Sequence, residues 1–316
     1  MKTYEMSDDE KEFLAGYDLT KYDRPSVAAD VVVFSVMKDD ECEDARRLQE
    51  KRLKILLIRR GGFPYKGSWA MPGGFCRKGE DVIDSARREL CEETGIEDAY
   101  VKLVGVYGEP GRDPRGWVIS STYMALMNGR DCRLRAGDDA QDARWFTVEL
   151  TEATEVAEAT EVSCTGEEIV KNEVEASCKV RNEKRYRLVL KDADSDIKLT
   201  AVLRRTDMSS CGRSSDSYDI EECEGLAFDH ARIITEAVLG LREDVRRDMK
   251  LAFDLLPERF TLTELQNVYE QIWDMELTTP NFRRKITEYV EETDAYQSGE
   301  RYRPAKLFTR RKDARK

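Results

Sequence analysis

Several things are scarce in this chain, and each scarcity excludes something. No stretch of about 18 apolar residues exists, so no transmembrane helix is expected. The first residues, MKTYEMSDDEKEFLAGYD, have neither the apolar run nor the small-residue cleavage site of a secretory signal. The eight cysteines, at positions 42, 76, 91, 132, 164, 178, 211 and 223, show no CxxC or zinc-like spacing. They read as free thiols in a reducing cytoplasm. Positive charge is in deficit, with 52 Lys and Arg against 64 Asp and Glu and a formal charge of −12. Such a chain is excluded as a general binder of nucleic acid or anionic membrane. Histidine occurs once, as His230. No Ser or Cys in a nucleophile context accompanies it, so a structural role is expected there.

The charge is unevenly spread. From Pro257 to the end there are 12 basic and 11 acidic residues, and the last sixteen positions hold eight basic residues against one acid. Any polyanion contact belongs to that end.

At 316 residues the chain has room for about two domains. AADVVVFSV (28–36) and KILLIRR (54–60) read as strands, the first buried. A Gly/Pro-punctuated loop, GGFPYKGSWAMPGG (61–74), precedes a helical stretch over 80–94. Its residues Val82, Ile83, Ala86 and Leu90 recur at three- and four-residue steps. Further strands are expected at 100–108, 118–127 and 143–148, which together suggest a layered α/β or α+β domain. The tract 151–164 is acidic and nearly repetitive, and reads as a linker or solvated helix. Residues 186–205 look like a hairpin around DADSD, and 205–219 have loop composition. A helix over 226–247 starts where Asp229 is placed to cap it. Near the end, Thr261 and Glu264 form a capping-box pattern ahead of the stripe Leu265, Val268, Tyr269 and Ile272. Thr279-Pro280 opens a further helix, PNFRRKITEYVEE, with Phe282, Ile286 and Tyr289 inward. Two short strands around Ser298-Gly299 follow. Helix, turn, helix, hairpin is the order of a winged helix-turn-helix.

The most informative stretch is the helix over 80–94. Residues at i, i+3 and i+4 share one helix face, so Glu89, Glu92 and Glu93 point together. Like charges at these spacings destabilise a helix by roughly 0.2–0.5 kcal/mol per pair. One reading is a solvated acidic face balanced by Arg87 and Arg88. The other is a cation site, since hard divalent ions take oxygen ligands and retain waters that a phosphate displaces. Gly73 and Gly74 allow backbone to approach closely, and Gly95 suits a left-handed helix cap.

Written out, residues 74–96 read G, five residues, E, seven residues, R-E-L-C-E-E-T-G-I. This resembles the Nudix box of the Nudix hydrolases at every specified position, and it decides for the metal site. The resemblance implies an α+β fold, an αβα sandwich with a mixed sheet, that cleaves nucleoside diphosphates linked to another moiety. It implies that Glu89, Glu92 and Glu93 hold Mg²⁺ or Mn²⁺, with the Gly74 carbonyl as a further ligand. Glu80 becomes an auxiliary acid and Arg88 the ion-pair partner that orients the carboxylates. Asp138, Asp139 and Glu149 are general-base candidates by position alone.

Outside the box, GEPGRDPRGW (108–117) is either a polar turn or a phosphate-binding loop, its Arg112 and Arg115 suited to bidentate contacts. Arg59, Arg60, Phe63, Tyr65 and Trp69 are placed to line an entrance, the aromatic residues by packing or by base stacking. The RDPRG loop, AGDDAQDARWF, LAFDHA, FTLTELQNVYE, NFRRK and RPAKLF resemble a narrower group. These are the Nudix-related transcriptional regulators of NAD metabolism and their ADP-ribose pyrophosphatase relatives. That resemblance implies a nucleotide partner such as ADP-ribose, operator DNA and a homodimer, with no membrane contact. It divides the chain into a Nudix domain (1–150), an insertion with a small β element (151–224), a completing helix and linker (225–256), and a C-terminal winged helix-turn-helix with a basic tail (257–316). The recognition helix is expected to offer Arg283, Arg284 and Lys285 to DNA, and the wing Arg301, Arg303 and Lys306. Packing or dimerisation is the alternative use of this module. An intact box places hydrolysis of ADP-ribose or a relative first, and nucleotide-controlled DNA binding second.

Overall fold

The computed structural model describes residues 4, 6–38, 51–95, 99–129, 140–153, 180–210, 213–299 and 302–311. After a short helix α1 (Asp8–Ala15), the chain builds one ten-stranded sheet. Its strands are β1 (Ser26–Lys38), β2 (Lys51–Arg60), β3 (Trp69–Ala70), β4 (Gly73–Phe75), β5 (Tyr100–Tyr107), β6 (Val118–Leu126), β7 (Ala140–Ala153), β8 (Val180–Asp192), β9 (Lys198–Ser210) and β10 (Arg213–Glu224). They lie in the order β10-β9-β8-β7-β2-β1-β6-β5, with β3 on β2 and β4 on β1. Among the described strand pairs only β1 and β6 run parallel, which makes the sheet mixed.

Helices cover both faces. Ala29, Val31 and Val33 of β1 pack with Tyr123 and Ala125 against Ala86 and Leu90 of α2 (Val82–Thr94). Val32, Phe34 and Val36 point the other way, into a cluster shared with Ile233, Ile234, Ala237, Val238 and Leu241 of α3 (His230–Arg247). Burial on both faces is why β1 reads as an unbroken apolar run rather than an alternation.

The region expected to be a separate insertion belongs to the sheet. The boundary at 150 falls inside β7, and β8 to β10 extend the sheet edge without interruption. The loop-like composition of 205–219 belongs to the β9–β10 hairpin. Ser215, Asp216 and Ser217 face solvent there, and the partners are ionic or aromatic: Arg204 with Asp219 at 3.1 Å, and Arg205 over the Tyr218 ring at 5.6 Å. An edge strand with so little apolar surface does not announce itself by alternation. The acidic tract 151–164 is described only as far as Ala153.

The C-terminal module is a winged helix. Its elements are α4 (Leu262–Trp273), α5 (Thr279–Ile286), β11 (Val290–Gly299) and β12 (Tyr302–Arg310). Phe260 bridges Phe308 through two backbone hydrogen bonds of 3.0 and 2.8 Å, fastening the start of the module to the edge of the wing. The capping box forms as read: Glu264 N–H donates to Thr261 Oγ1 at 3.1 Å and Thr261 N–H to Glu264 Oε2 at 3.0 Å. Thr278, not Thr279, is the N-cap of α5. The helix also ends sooner than expected, because Val290 is buried and already paired with Arg310 in the wing. Glu288, Glu291 and Glu292 therefore do not continue the recognition helix.

The module is not a tethered bead. Leu265, Val268, Tyr269 and Ile272 of α4, with Phe282 and Ile286 of α5, share one buried cluster with α3 and the back of the sheet. A Lys51–Glu264 ion pair of 3.2 Å adds a link from β2 to α4. Ile272 is 0% exposed, so Ile272→Ala should cost about 2–5 kcal/mol. In denaturant, far-UV circular dichroism and tryptophan fluorescence should then shift together in one transition. Separate transitions for the two modules would contradict a shared core.

Candidate functional site

The site is assembled where α2 lies against β4. Asp81 caps α2 by accepting from Ile83 N–H at 3.2 Å, and Gly95 ends it at φ 74°. With Ala86 and Leu90 turned into the sheet, the adjoining face carries Arg88, Glu89, Glu92 and Glu93. Arg88 organises them. Its Nε and Nη2 donate to the two oxygens of Glu80 at 2.9 and 3.2 Å. Its Nη1 donates to Glu89 at 2.6 Å and to Glu92 at 3.4 Å. Glu80 also accepts from Ser85 Oγ at 2.6 Å and Arg77 N–H at 3.1 Å. Arg88 first, then Ser85 and Arg77, bring the Glu80 carboxyl down to about 2.

Glu93 is different. It is 7% exposed, and its Oε2 has no hydrogen-bond partner. Burial, then Glu89, Glu92 and Asp30, push its carboxyl up to about 8. Asp30, on β1, is pushed up to about 6 by burial, against a hydrogen bond from Ser120 and the charges of Arg112 and Arg115. Between the two carboxylate groups runs β4. A Cβ on Gly74 would lie 2.3 Å from Glu89 Oε1, and one on Gly73 (φ 154°) would lie 2.6 Å from Asp30 Oδ1. Among the described residues no three His, Cys, Asp or Glu side chains already stand as a closed ligand shell. What is present is an orphaned buried carboxylate oxygen, two further carboxylates beside it, and a glycine strand admitting close approach. That donor set fits a hard, oxygen-seeking divalent cation.

The outer residues fall into two groups. Arg112 is nearly buried; its Nε and Nη2 donate to Asp229 at 2.9 and 2.8 Å and its Nη1 to Ser120 at 2.9 Å. It clamps the 108–117 loop to the start of α3. Asp229 accordingly sits at the N-cap of α3 without making the expected side-chain cap bond. Arg115 is bound to Asp113 yet lies over two rings, Phe75 at 4.9 Å and Phe228 at 5.3 Å. Phe228, at φ 53°, also meets Arg60 at 5.0 Å and Tyr65 at 4.7 Å. Arg59 donates to Gly67 O at 3.2 Å, and Phe63 is 84% exposed with Lys66 above its ring at 5.8 Å. Trp69 is buried against Phe146 and so is packing.

Asp30 and Phe228 were missed from sequence. The signal for Asp30 was a lone acid inside a buried strand; nothing local marked Phe228. His230 has the structural part expected. It is buried and its Nδ1 accepts from Met71 N–H at 3.0 Å, while burial brings its pKa down to about 4. Of the base candidates, Asp138 and Asp139 lie outside the described residues. Glu149 pairs with Lys191 at 2.6 Å, beyond the Lys54 end of β2 and so at the far end of the sheet from β4.

In the winged helix, Arg283, Arg284 and Lys285 are all exposed on α5. Lys306 pairs with Glu292 across the wing. Arg301 and the Arg303 side chain lie outside the described residues.

A NUDIX domain profile matches residues 45–163. Over 139 residues the chain is 40% identical to the ADP-ribose pyrophosphatase of Methanocaldococcus jannaschii, covering 43% of this chain and 72% of that one. This chain belongs to the Nudix family. Its Nudix domain is followed by a match to the NrtR DNA-binding winged helix domain over residues 252–309. An "ADPR responsive transcriptional repressor NtrR" of Acinetobacter baylyi is 28% identical over 303 residues, 95% of this chain and 87% of that protein. The crystal structure of a MutT/nudix family protein from Enterococcus faecalis superposes with a TM-score of 0.62 at 24% identity, over 97% and 94% of the two chains. That of Shewanella oneidensis NrtR complexed with a 27mer DNA gives 0.55 at 22%, over 91% and 94%. The Nudix sandwich with a mixed sheet and a C-terminal winged helix is thus the fold of these proteins also. No helix among the described residues is long and apolar enough to cross a membrane.

Two outcomes are expected for this Nudix site. Because the Glu93 carboxyl is raised from 4.5 to about 8, between those values the folded chain keeps a proton that the unfolded chain has released. Stability therefore falls as pH rises through that window. In chelator-containing buffer the melting temperature should drop from about pH 6 to about pH 8, and Glu93→Gln should flatten the drop. Equal slopes would remove Glu93 as its source. Separately, Gly74→Ala places a methyl against Glu89 and should shrink the rise in melting temperature on adding Mg²⁺; an undiminished rise would show that the close approach is dispensable.

Proposed function

We propose that this protein is a DNA-binding regulator whose Nudix domain takes ADP-ribose, or a closely related nucleoside diphosphate derivative, as its signal. The observation that carries this reading is the relation running through both modules to the ADPR-responsive repressor of Acinetobacter baylyi. It reverses the order that the intact box suggests by itself. Arg115, stacked between Phe75 and Phe228, and the aromatic residues Phe63 and Tyr65 offer a cationic, ring-lined mouth for a nucleotide. Such surfaces suit phosphate charge and base faces. On the winged helix, exposed Arg283, Arg284 and Lys285 supply phosphate contacts, and base edges supply sequence preference. The protein works in the cytoplasm as a homodimer in this reading.

The complete carboxylate set favours a second activity at the same site, hydrolysis of the pyrophosphate, which from ADP-ribose yields AMP and ribose 5-phosphate. Glu89, Glu92 and Glu93, with the Gly74 carbonyl, would hold Mg²⁺ or Mn²⁺. When bound, such a cation neutralises pyrophosphate oxygens and lowers the pKa of a coordinated water. The chain's own part is positional. Arg88 holds Glu80 and Glu89 in place, and Gly73 and Gly74 of β4 present bare backbone beside Asp30 and Glu89.

The test uses the full chain and a duplex that it selects from a random pool. Fluorescence anisotropy should show binding that weakens steeply with salt and changes when ADP-ribose is added. Arg284→Glu should abolish DNA binding while leaving ADP-ribose binding intact; loss of both would contradict the division of labour. In parallel, ADP-ribose turnover with Mg²⁺ that vanishes in Glu93→Gln would establish the second activity. No selected duplex, with rapid turnover, would put the enzyme first.

A further inference from the structure

The nucleotide site and the winged helix touch opposite ends of one helix. Resting on the regulatory reading above, we propose that α3 is the member through which an occupied nucleotide site acts on the DNA-binding module, and that the clasp between Arg242 and Trp273 delivers the effect.

At its first turn, α3 is sewn to the glycine loop. Trp69 N–H donates to Gly225 O, and Ala227 N–H donates back to Trp69 O, both at 2.8 Å. Then Met71 N–H donates to His230 Nδ1 at 3.0 Å, two residues before Gly73. Asp229, also in this turn, is gripped by Arg112, whose remaining nitrogen reaches Ser120, the hydroxyl that also bonds Asp30. Phe228, the next residue back, is the ring against which Arg60 and Arg115 stack. A ligand that draws on Arg115, on Phe228 or on the Gly73-Gly74 backbone therefore acts on groups bonded to the helix start.

From there α3 runs 18 residues, roughly 27 Å at 1.5 Å per residue. Its buried stripe from Ala231 to Val245 lies along the core. A helix so packed moves as a body rather than bending at each contact. At the far end Arg242 is committed to the other module. Its Nε donates to Ile272 O at 3.0 Å, its Nη atoms face Leu150 O of β7 at 3.5 Å, and Asp274 lies 3.5 Å away. Trp273 returns the contact, Nε1 donating to Arg242 O at 3.2 Å. Ile272, Trp273 and Asp274 are the last turn and cap of α4, immediately before the turn into α5 with its three exposed basic residues. A shift of α3 is thus passed to the part of the winged helix that aims α5. Arg242 and Trp273 touch neither the nucleotide mouth nor the exposed face of α5, so their part is transmission.

The experiment measures coupling, which is a ratio of affinities and not an affinity. Dissociation constants for the selected duplex are taken with and without saturating ADP-ribose in the full chain, and ADP-ribose affinity is taken by calorimetry. In the wild type the ratio should be at least about fivefold. Arg242→Met and Trp273→Phe should each hold ADP-ribose, and the duplex in its absence, within about twofold of wild type, while the ratio falls below about twofold. Should thermal melting show that Arg242→Met does not fold, Trp273→Phe carries the test, since it removes the indole N–H donor while keeping an aromatic ring beside Tyr269. A wild-type ratio retained in the folded variants overturns this inference and leaves the regulatory reading standing. Loss of ADP-ribose or ligand-free DNA binding in folded variants also overturns it, because the residues would then belong to a site. A wild-type ratio of one overturns both readings together.

Discussion

Two glycines hold this site together by having no side chains. At Gly73 and Gly74 the backbone of β4 passes between Asp30 on one side and Glu89 on the other, with no room for a Cβ on either. The approach sets everything around it. It brings the α2 carboxylates beside a buried strand, so Glu93 loses water and a partner together and keeps its proton to about pH 8. It makes Arg88 necessary, because a face bearing Glu89, Glu92 and Glu93 would otherwise carry its repulsion unrelieved. And it leaves bare backbone between the carboxylates where a side chain would intrude.

How much of this was legible depended on how local each signal was. The box was fully legible, because its spacing is dictated by one helix and one turn. So was β1, whose unbroken apolar run records burial on both faces. The capping box at Thr261 and Glu264 spans four residues and formed as written. What was missed is held by distant partners or by strands whose side chains face water. The Arg112–Asp229 clamp joins residues 117 positions apart, and neither residue alone signals the other, so Arg112 read as a phosphate ligand and Asp229 as a helix cap. Strands β9 and β10 sit at the sheet edge with serines and acids facing water, and their composition reads as loop. Asp30 lies inside the apolar run of β1, and only its pairing with Gly73 of β4 brings it to the site. The end of α5 was misplaced because Val290 prolongs the helical pattern but pairs in the wing.

A second theme is continuity. The back of the Nudix sheet, α3 and the two helices of the winged module share one buried cluster, so the carboxylate site and the exposed basic face of α5 belong to one packed body. Packed cores deform as units, which is why a site of a few carboxylates and a basic helix surface can influence each other without contact. The strongly acidic balance of the chain fits the same picture. Against that balance the exposed Arg283, Arg284 and Lys285 of α5 form a local basic patch.

That continuity is the central claim, and linkage offers the most direct test of it. ADP-ribose is titrated by calorimetry into the free protein and into the protein saturated with its selected duplex. If strain passes between the two sites through this body, DNA changes ADP-ribose affinity by the same factor, about fivefold or more, by which ADP-ribose changes DNA affinity. Identical ADP-ribose affinities with and without DNA would contradict the account.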